Sequence, residues 1–390
     1  MSRRRETLLA LLLAIAGAAV HLFLLPASAR ERSDLPLYLD SALRWASGEV
    51  PYREIPFEYP PAALLLLRVP LEAAAALGSS FERAFAGWMA LFDALALFSA
   101  YLCCRGRRGF LALGAGFLGL ALCASVLHTR FDLAPGALMA LSVALGTMGA
   151  LPWAGAALGA AVALKLYPLA IAPAAAVFVY QRGGKEALRK AILAGSLAIA
   201  ALSFPAALGA GASALSFFGY HYQRGVQIQS LWGALLLCLG RLHGEPVPIV
   251  HAFGAEQLEG SFPLLAVLSL CLQLAAGLGA AWAVWRRASL SRAALGAFAG
   301  FVAFGKVGSP QFLLALVPLA ACAAGAADAS ALVALVLAGC ALMAWEFPRH
   351  YGALFHNQGP WAAIVLLRML LFAAVSIAAA RPRLRAKLPR

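Results

Sequence analysis

Apolar runs near twenty residues long, with small basic clusters at some of their ends, constrain this chain more than any motif in it. At 1.5 Å per residue, such a run is what an α-helix needs to cross about 30 Å of hydrocarbon. Lipid offers no partner for a backbone N–H or C=O, so spanning segments must satisfy their own hydrogen bonds as helices. Of the 390 residues, 63% are hydrophobic and 12% charged, against roughly a quarter charged in soluble domains. The class is therefore an all-α polytopic membrane protein. A net charge of +14 would suit a nucleic-acid binder, but the basic residues gather at span ends, at 3–5, 105–108, 182–190, 286–292 and 381–390. That is the positive-inside pattern, and no nucleic-acid partner is expected.

The seven cysteines (103, 104, 123, 238, 271, 322, 340) lie inside or at the ends of apolar runs, without C-x-x-C spacing. They read as small core residues, and no metal site is expected. Residues 7–26, with Arg3 to Arg5 before them and Ala27-Ser28-Ala29 after, have the outline of a signal peptide. The run is longer than a usual signal core, so a retained first span is expected.

Placing the amino terminus inside puts residues 28–59 outside. If 60–78 crossed and 84–104 crossed back, the 105–108 cluster would fall outside and reverse the charge rule. Residues 60–78, proline-bounded and interrupted by Arg68 and Pro70, are therefore expected to form an interfacial helix. Further full spans are expected at 84–104, 109–126, 133–149, 191–209, 262–284, 292–305, 310–326, 330–346 and 359–380, making about ten with the first. Residues 151–181 must start and end inside, which suits a hairpin of two short helices broken at Lys165-Leu166-Tyr167-Pro168. Residues 231–242 are too short to span and read as a second interfacial helix. The chain is thus one integral membrane domain, 1–390, with outer loops at 28–78 and 210–261. Its expected place is the cytoplasmic membrane, with the polar face toward the periplasm or cell exterior.

This topology gathers most polar side chains on the outer side. The first loop supplies Asp34, Tyr38, Asp40, Glu58 and Tyr59, and H-T-R-F-D supplies Arg130 and Asp132. Y-H-Y-Q-R-G-V-Q-I-Q-S supplies His221, Arg224, Gln227, Gln229 and Ser230, and G-K-V-G-S-P-Q supplies Lys306 and Gln311. Ionisable groups at membrane depth mark a site by default. Lys165, within a 31-residue hydrophobic segment, is expected to face a cavity, whereas Arg130 and Asp132 could simply pair with each other. His128 and His243 read as interfacial fillers.

An acid among several cations on one membrane face suits glycosyl transfer from a lipid phosphate. A base takes the acceptor proton, and cations stabilise the departing phosphate. Asp34 fits the first role, and Lys165, Arg130, Arg224 and Lys306 fit the second. Tyr38, Tyr59, Asp132, His221, Gln227, Ser230 and Gln311 are the expected substrate contacts. No Gly-rich phosphate loop, H-E-x-x-H or G-x-S-x-G is present, so nucleotide-driven pumping and the common hydrolase chemistries lose support. A transporter or flippase for a lipid-linked or small polar substrate is the alternative.

D-L-P-L-Y-L-D-S-A-L-R-W-A-S-G-E-V-P-Y, followed by F-E-Y-P-P-A-A-L-L-L, resembles the first outer loop of the polyprenyl-phosphate-mannose-dependent mannosyltransferases of glycosyltransferase family 87, within the C-type membrane glycosyltransferase superfamily. R-F-D-L-A-P-G-A-L, G-A-A-V-A-L-K-L-Y-P-L, R-G-V-Q-I-Q-S-L and S-P-Q-F-L-L-A-L-V-P are similar to later segments of bacterial members, in the same order. The resemblance implies an enzyme that takes a sugar, usually mannose, from a polyprenyl monophosphate and inverts the anomeric centre. It implies Asp34 as the catalytic base, with Asp40 second. The donor would be a substrate, so no cofactor is implied, and a lipid or glycan would be the acceptor.

Overall fold

The computed structural model describes residues 3–25, 31–245, 247–326 and 329–381. The small-residue triplet at 27–29 and most of the last basic cluster, 382–390, lie outside them. Among the described residues, five helices combine spanning length with apolar composition: Arg3–Leu24, Phe81–Cys104, the composite Tyr167–Ala207, Pro263–Trp285 and Trp361–Ala380. Most of these lie at the rim, where Leu12, Phe23, Leu197, Leu264 and Leu278 stay exposed, as a lipid-facing surface requires.

Five helices differ from the expected row of full spans. Residues expected to cross at 109–126, 133–149, 292–305, 310–326 and 330–346 form the shorter helices Gly106–Leu122, Leu133–Thr147, Leu290–Phe304, Leu313–Ala324 and Ser330–Glu346. Leu313–Ala324 has 12 residues, about 18 Å of helix, well short of the bilayer core. It packs against Phe81–Cys104 and all four of those neighbours, and residues 313–323 are buried throughout. A helix enclosed by protein need not match the lipid thickness, because its ends meet polar loops instead of hydrocarbon.

Helix Leu151–Leu164 stops at Lys165, which is extended (φ −156°, ψ 148°), and a 3₁₀ turn, Tyr167–Ile171, leads into the long segment Ala172–Ala207. Gly184, at φ 68° and ψ −165°, breaks that segment in two. Its second half runs parallel to Leu151–Leu164, with Gly155 against Ala191 and Gly159 against Gly195. A Cβ at Gly155 or Gly159 would strike the facing backbone carbonyl, so only glycine permits this approach. Gly159→Val is expected to destabilise the protein by about 1–3 kcal/mol, the usual cost of overpacking. Thermal unfolding in detergent reads this directly, and a wild-type melting temperature would refute it.

A buried carboxylate ties three separated segments together. His21 Nδ1 lies 2.8 Å and His128 Nε2 3.1 Å from Asp93 Oδ2, and all three residues are buried. His128 is therefore no interfacial filler: at φ 62° it anchors the turn that carries Arg130. His243, by contrast, caps its own helix end through Leu239 O at 2.8 Å.

Helix Ala62–Ala76 carries Pro70 and buries its first turns, and helix Leu231–His243 packs on Trp361–Ala380. One antiparallel hairpin, Ile249–Ala252 with Ala255–Leu258, interrupts the otherwise helical fold. Phe253 and Gly254, at φ 52° and 66°, form its two-residue turn with the backbone sign of a type I′ hairpin. These paired strands lie within the stretch 210–261, expected as loop.

Candidate active site

Asp34 is the first residue of helix Asp34–Ala46, where the helix dipole favours a carboxylate. Tyr38 follows one turn later on the same face, fully buried, and its hydroxyl donates to Asp34 Oδ2 at 3.2 Å. Its ring is held by Phe85 and Phe131, at centroid distances of 5.6 and 5.4 Å. The other partner of Asp34 arrives from far along the chain. Arg130 forms ion pairs with Asp34 and Glu31 and donates to Ser33 Oγ at 3.1 Å. Burial pulls the Arg130 guanidinium below its ordinary value, opposed by Glu31.

Asp34 lines a cavity of about 970 Å³. Glu31, Glu58, Tyr59 and Arg130 line it together with Asp34, Tyr220, Arg224, Gln227 and Gln229 line it from the segment 220–229, and Ser309 and Gln311 close another edge. The turn and second strand of the β-hairpin, with Phe347 and Tyr351, complete the wall. Tyr59 is set by the turn before it: Tyr52, at φ 66°, donates its hydroxyl to Tyr59 O at 2.7 Å. Burial pushes both phenols above their ordinary values. Gln227 Oε1 accepts from Gly308 N–H at 2.9 Å and Ser309 Oγ at 3.2 Å, joining the Q-I-Q-S and G-S-P-Q segments. Behind Gln229, whose amide donates to Glu346 at 3.0 Å, Glu346 pairs with buried Arg368 at 3.0 Å.

Several residues expected at the site serve beside it. Lys165 does not line the cavity: its Nζ lies 2.8 Å from both carboxylate oxygens of Asp132, between the rings of Tyr59, Phe131 and Tyr167. Arg130 and Asp132 thus do not pair with each other, because each faces a different partner across the Phe131 turn. Asp132 is fully buried, which takes it out of substrate contact as well. Tyr38 reaches the site through Asp34. Ser230 caps helix Leu231–His243, accepting from Gly233 N–H at 3.0 Å and donating to Gln227 O at 2.7 Å. His221 stands away from the cavity lining, and burial pulls its imidazole below the ordinary value. Asp40 is largely exposed, 4.0 Å from Arg44 on the helix surface.

Lys306 lines a neighbouring cavity of about 700 Å³ and donates to the carbonyls of Tyr222, at 3.0 Å, and Arg224. Burial, then the Arg224 charge, lowers its ammonium from the ordinary value. Arg224 belongs to both cavities, and Phe262, Ala266, Val267 and Leu270 give the second an apolar wall along helix Pro263–Trp285. Glu31, Phe253, Glu256 and Tyr351 were not among the expected site residues. Glu31 and the hairpin residues lie in the segments 28–59 and 210–261 that the charge rule assigns to the polar side, and Tyr220 opens the Y-H-Y-Q-R-G-V-Q-I-Q-S stretch; that placement was their signal.

The sequence profile of glycosyltransferase family 87 matches residues 57–305, more than half of the chain and beginning after Asp34. No curated protein sequence matches. Two crystal structures of ArnT from Cupriavidus metallidurans, one bound to undecaprenyl phosphate and one in the apo state, are similar at a TM-score of 0.49, with 17% and 16% sequence identity, over 94% of this chain and 76% of each of those. With its helical membrane architecture and the profile match over residues 57–305, this chain belongs to glycosyltransferase family 87.

Proposed function

We propose that the protein transfers a sugar, with mannose the first candidate, from a polyprenyl phosphate to a hydroxyl of a lipid or glycan acceptor. The reaction takes place on the outer face of the cytoplasmic membrane and inverts the anomeric centre. The observation that carries this reading is the Asp34 carboxylate at the cavity wall, with one oxygen held by Tyr38 and Arg130 and the other met, among the described residues, by Ser33 Oγ at 3.5 Å. The acceptor oxygen attacks the anomeric carbon opposite the phosphate, and its proton passes to Asp34 Oδ1. The bond from the anomeric carbon to the phosphate oxygen breaks, and the electron pair leaves with the phosphate. Arg130 favours the ionised carboxylate needed at the start, and a guanidinium suits the phosphate charge at the end.

Arg224 supports the donor assignment because it stands where the two cavities meet. A phosphate there would direct its sugar toward Asp34 and its prenyl chain along Ala266, Val267 and Leu270. Every cavity-lining segment comes from the side that the charge rule places outside, whereas a transporter needs polar groups reachable from both faces. Arg224→Gln is expected to raise the half-saturating donor concentration by about 10–100-fold, the worth of a charged hydrogen bond. The assay is purified protein with polyprenyl-phosphate mannose and a lipid extract as acceptor. Unchanged donor dependence would remove Arg224 from the phosphate site, and transfer from a sugar nucleotide but not from any polyprenyl-phosphate sugar would overturn the donor class.

A further inference from the structure

We propose that the β-hairpin wall of the main cavity is the acceptor subsite, and that it takes an uncharged sugar end. Glu256 accepts its hydroxyl protons while Phe253 and Tyr220 cover its apolar face. The proposal deepens the glycosyltransferase reading and rests on it.

The hairpin is built into the site. Ile228 N–H donates to Glu256 O at 3.1 Å, and Leu258 N–H donates to Val226 O at 2.9 Å. The Gln257 side chain bridges the Gly225 amide and the Ala252 carbonyl. The hairpin therefore lies as a continuation of the segment that carries Gln227 and Gln229, and Glu256 is fixed at the cavity edge by its own backbone. Such preorganisation lowers the ordering cost of binding.

Glu256 Oε1 lies 2.9 Å from His251 Nδ1, while Oε2 is buried with no hydrogen-bond partner among the described residues. An unmatched buried carboxylate oxygen is costly, and a hydroxyl donor from a ligand would satisfy it. Phe253 and Tyr220 meet edge to face beside it, with centroids 5.2 Å apart and planes at 82°. A ring edge and face next to a hydrogen-bond acceptor match a sugar, which carries C–H faces and a rim of hydroxyls.

Charge decides between acceptor classes. Four carboxylates line the cavity, Glu31, Asp34, Glu58 and Glu256, against two guanidiniums, Arg130 and Arg224. Arg130 is engaged by Glu31 and Asp34, and Arg224 is the cation at the donor end. The remaining wall carries Glu58, and Glu256 beside its partner His251; the two carboxylates would repel a phosphate or carboxylate on the acceptor and welcome neutral hydroxyls.

The test is donor-free binding to the full-length protein in nanodiscs, followed by saturation-transfer NMR titration. The probes are methyl α-mannoside and mannose 6-phosphate. Wild type is expected to bind the neutral glycoside and to bind the phosphate at least about tenfold more weakly. Glu256→Gln is expected to weaken glycoside binding by about tenfold. Glu256→Asp, which keeps the charge on a shorter arm, is expected to fall between them and stands in if the first variant misfolds. Labelled polyprenyl phosphate should bind Glu256→Gln as it binds wild type. No glycoside binding by wild type, equal binding by both Glu256 variants, or equal affinity for the charged probe would overturn the proposal. Failure of wild type to transfer from polyprenyl-phosphate mannose would instead strike the donor reading and leave this binding result standing.

Discussion

Asp34→Asn is expected to lower sugar transfer by about 10²–10⁴-fold, the range for removing a general acid or base, while donor binding stays near wild type. The amide keeps the size of the carboxylate and can still accept from Tyr38 and Arg130, so the helix start should survive. What it loses is the capacity to take a proton from the acceptor hydroxyl. Asp40→Asn, on the exposed face of the same helix, is the internal control and is expected to change turnover little, because exposed ion pairs contribute about 0–1 kcal/mol. Single-turnover rates with saturating polyprenyl-phosphate mannose separate chemistry from binding. Turnover retained in Asp34→Asn and lost in Asp40→Asn would transfer the role of base to Asp40.

The second large effect is on stability. Lys165→Met is expected to destabilise the protein by about 3–5 kcal/mol, because it leaves an unpaired carboxylate among apolar groups. Asp132 is fully buried and holds Lys165 at 2.8 Å through both oxygens, so no water can replace the ammonium without opening the packing around Tyr59, Phe131 and Tyr167. The double variant Lys165→Met with Asp132→Leu removes both charges and is expected to recover more than half of that loss. Denaturant unfolding in detergent gives both values. A single variant as stable as wild type but with weakened donor affinity would return Lys165 to the phosphate role. Tyr167 reinforces the pair, since its hydroxyl donates to Asp132 O at 3.2 Å.

The first-loop site was partly legible in the sequence because part of it is local. Asp34 and Tyr38 are four residues apart, so any helix through them brings the hydroxyl beneath the carboxylate. The turn prolines and Gly48, at φ 100°, return the chain toward Tyr59. The partners of the ionic residues were not legible. Asp132 lies two residues from Arg130, yet its partner Lys165 lies 33 residues on, while Arg130 reaches back 99 residues to Glu31. Which cation meets which acid depends on the direction each side chain leaves the Phe131 turn. That direction is fixed by His128 and its distant anchor Asp93.

By itself the sequence determined the solvent and the class of structure: long apolar runs closed by basic clusters can only be helices in lipid, because the backbone has no other partner there. It also determined which segments between the helices carry polar chemistry. Tertiary structure alone decided that five of the expected spans are shorter helices, since only enclosure by neighbours frees a helix such as Leu313–Ala324 from the bilayer thickness. It also decided that Lys165 is buried against Asp132, and that a β-hairpin with Glu256 lines the same cavity as Asp34. Those outcomes rest on contacts between residues tens to hundreds of positions apart, and such contacts leave no period or spacing in the chain to be read.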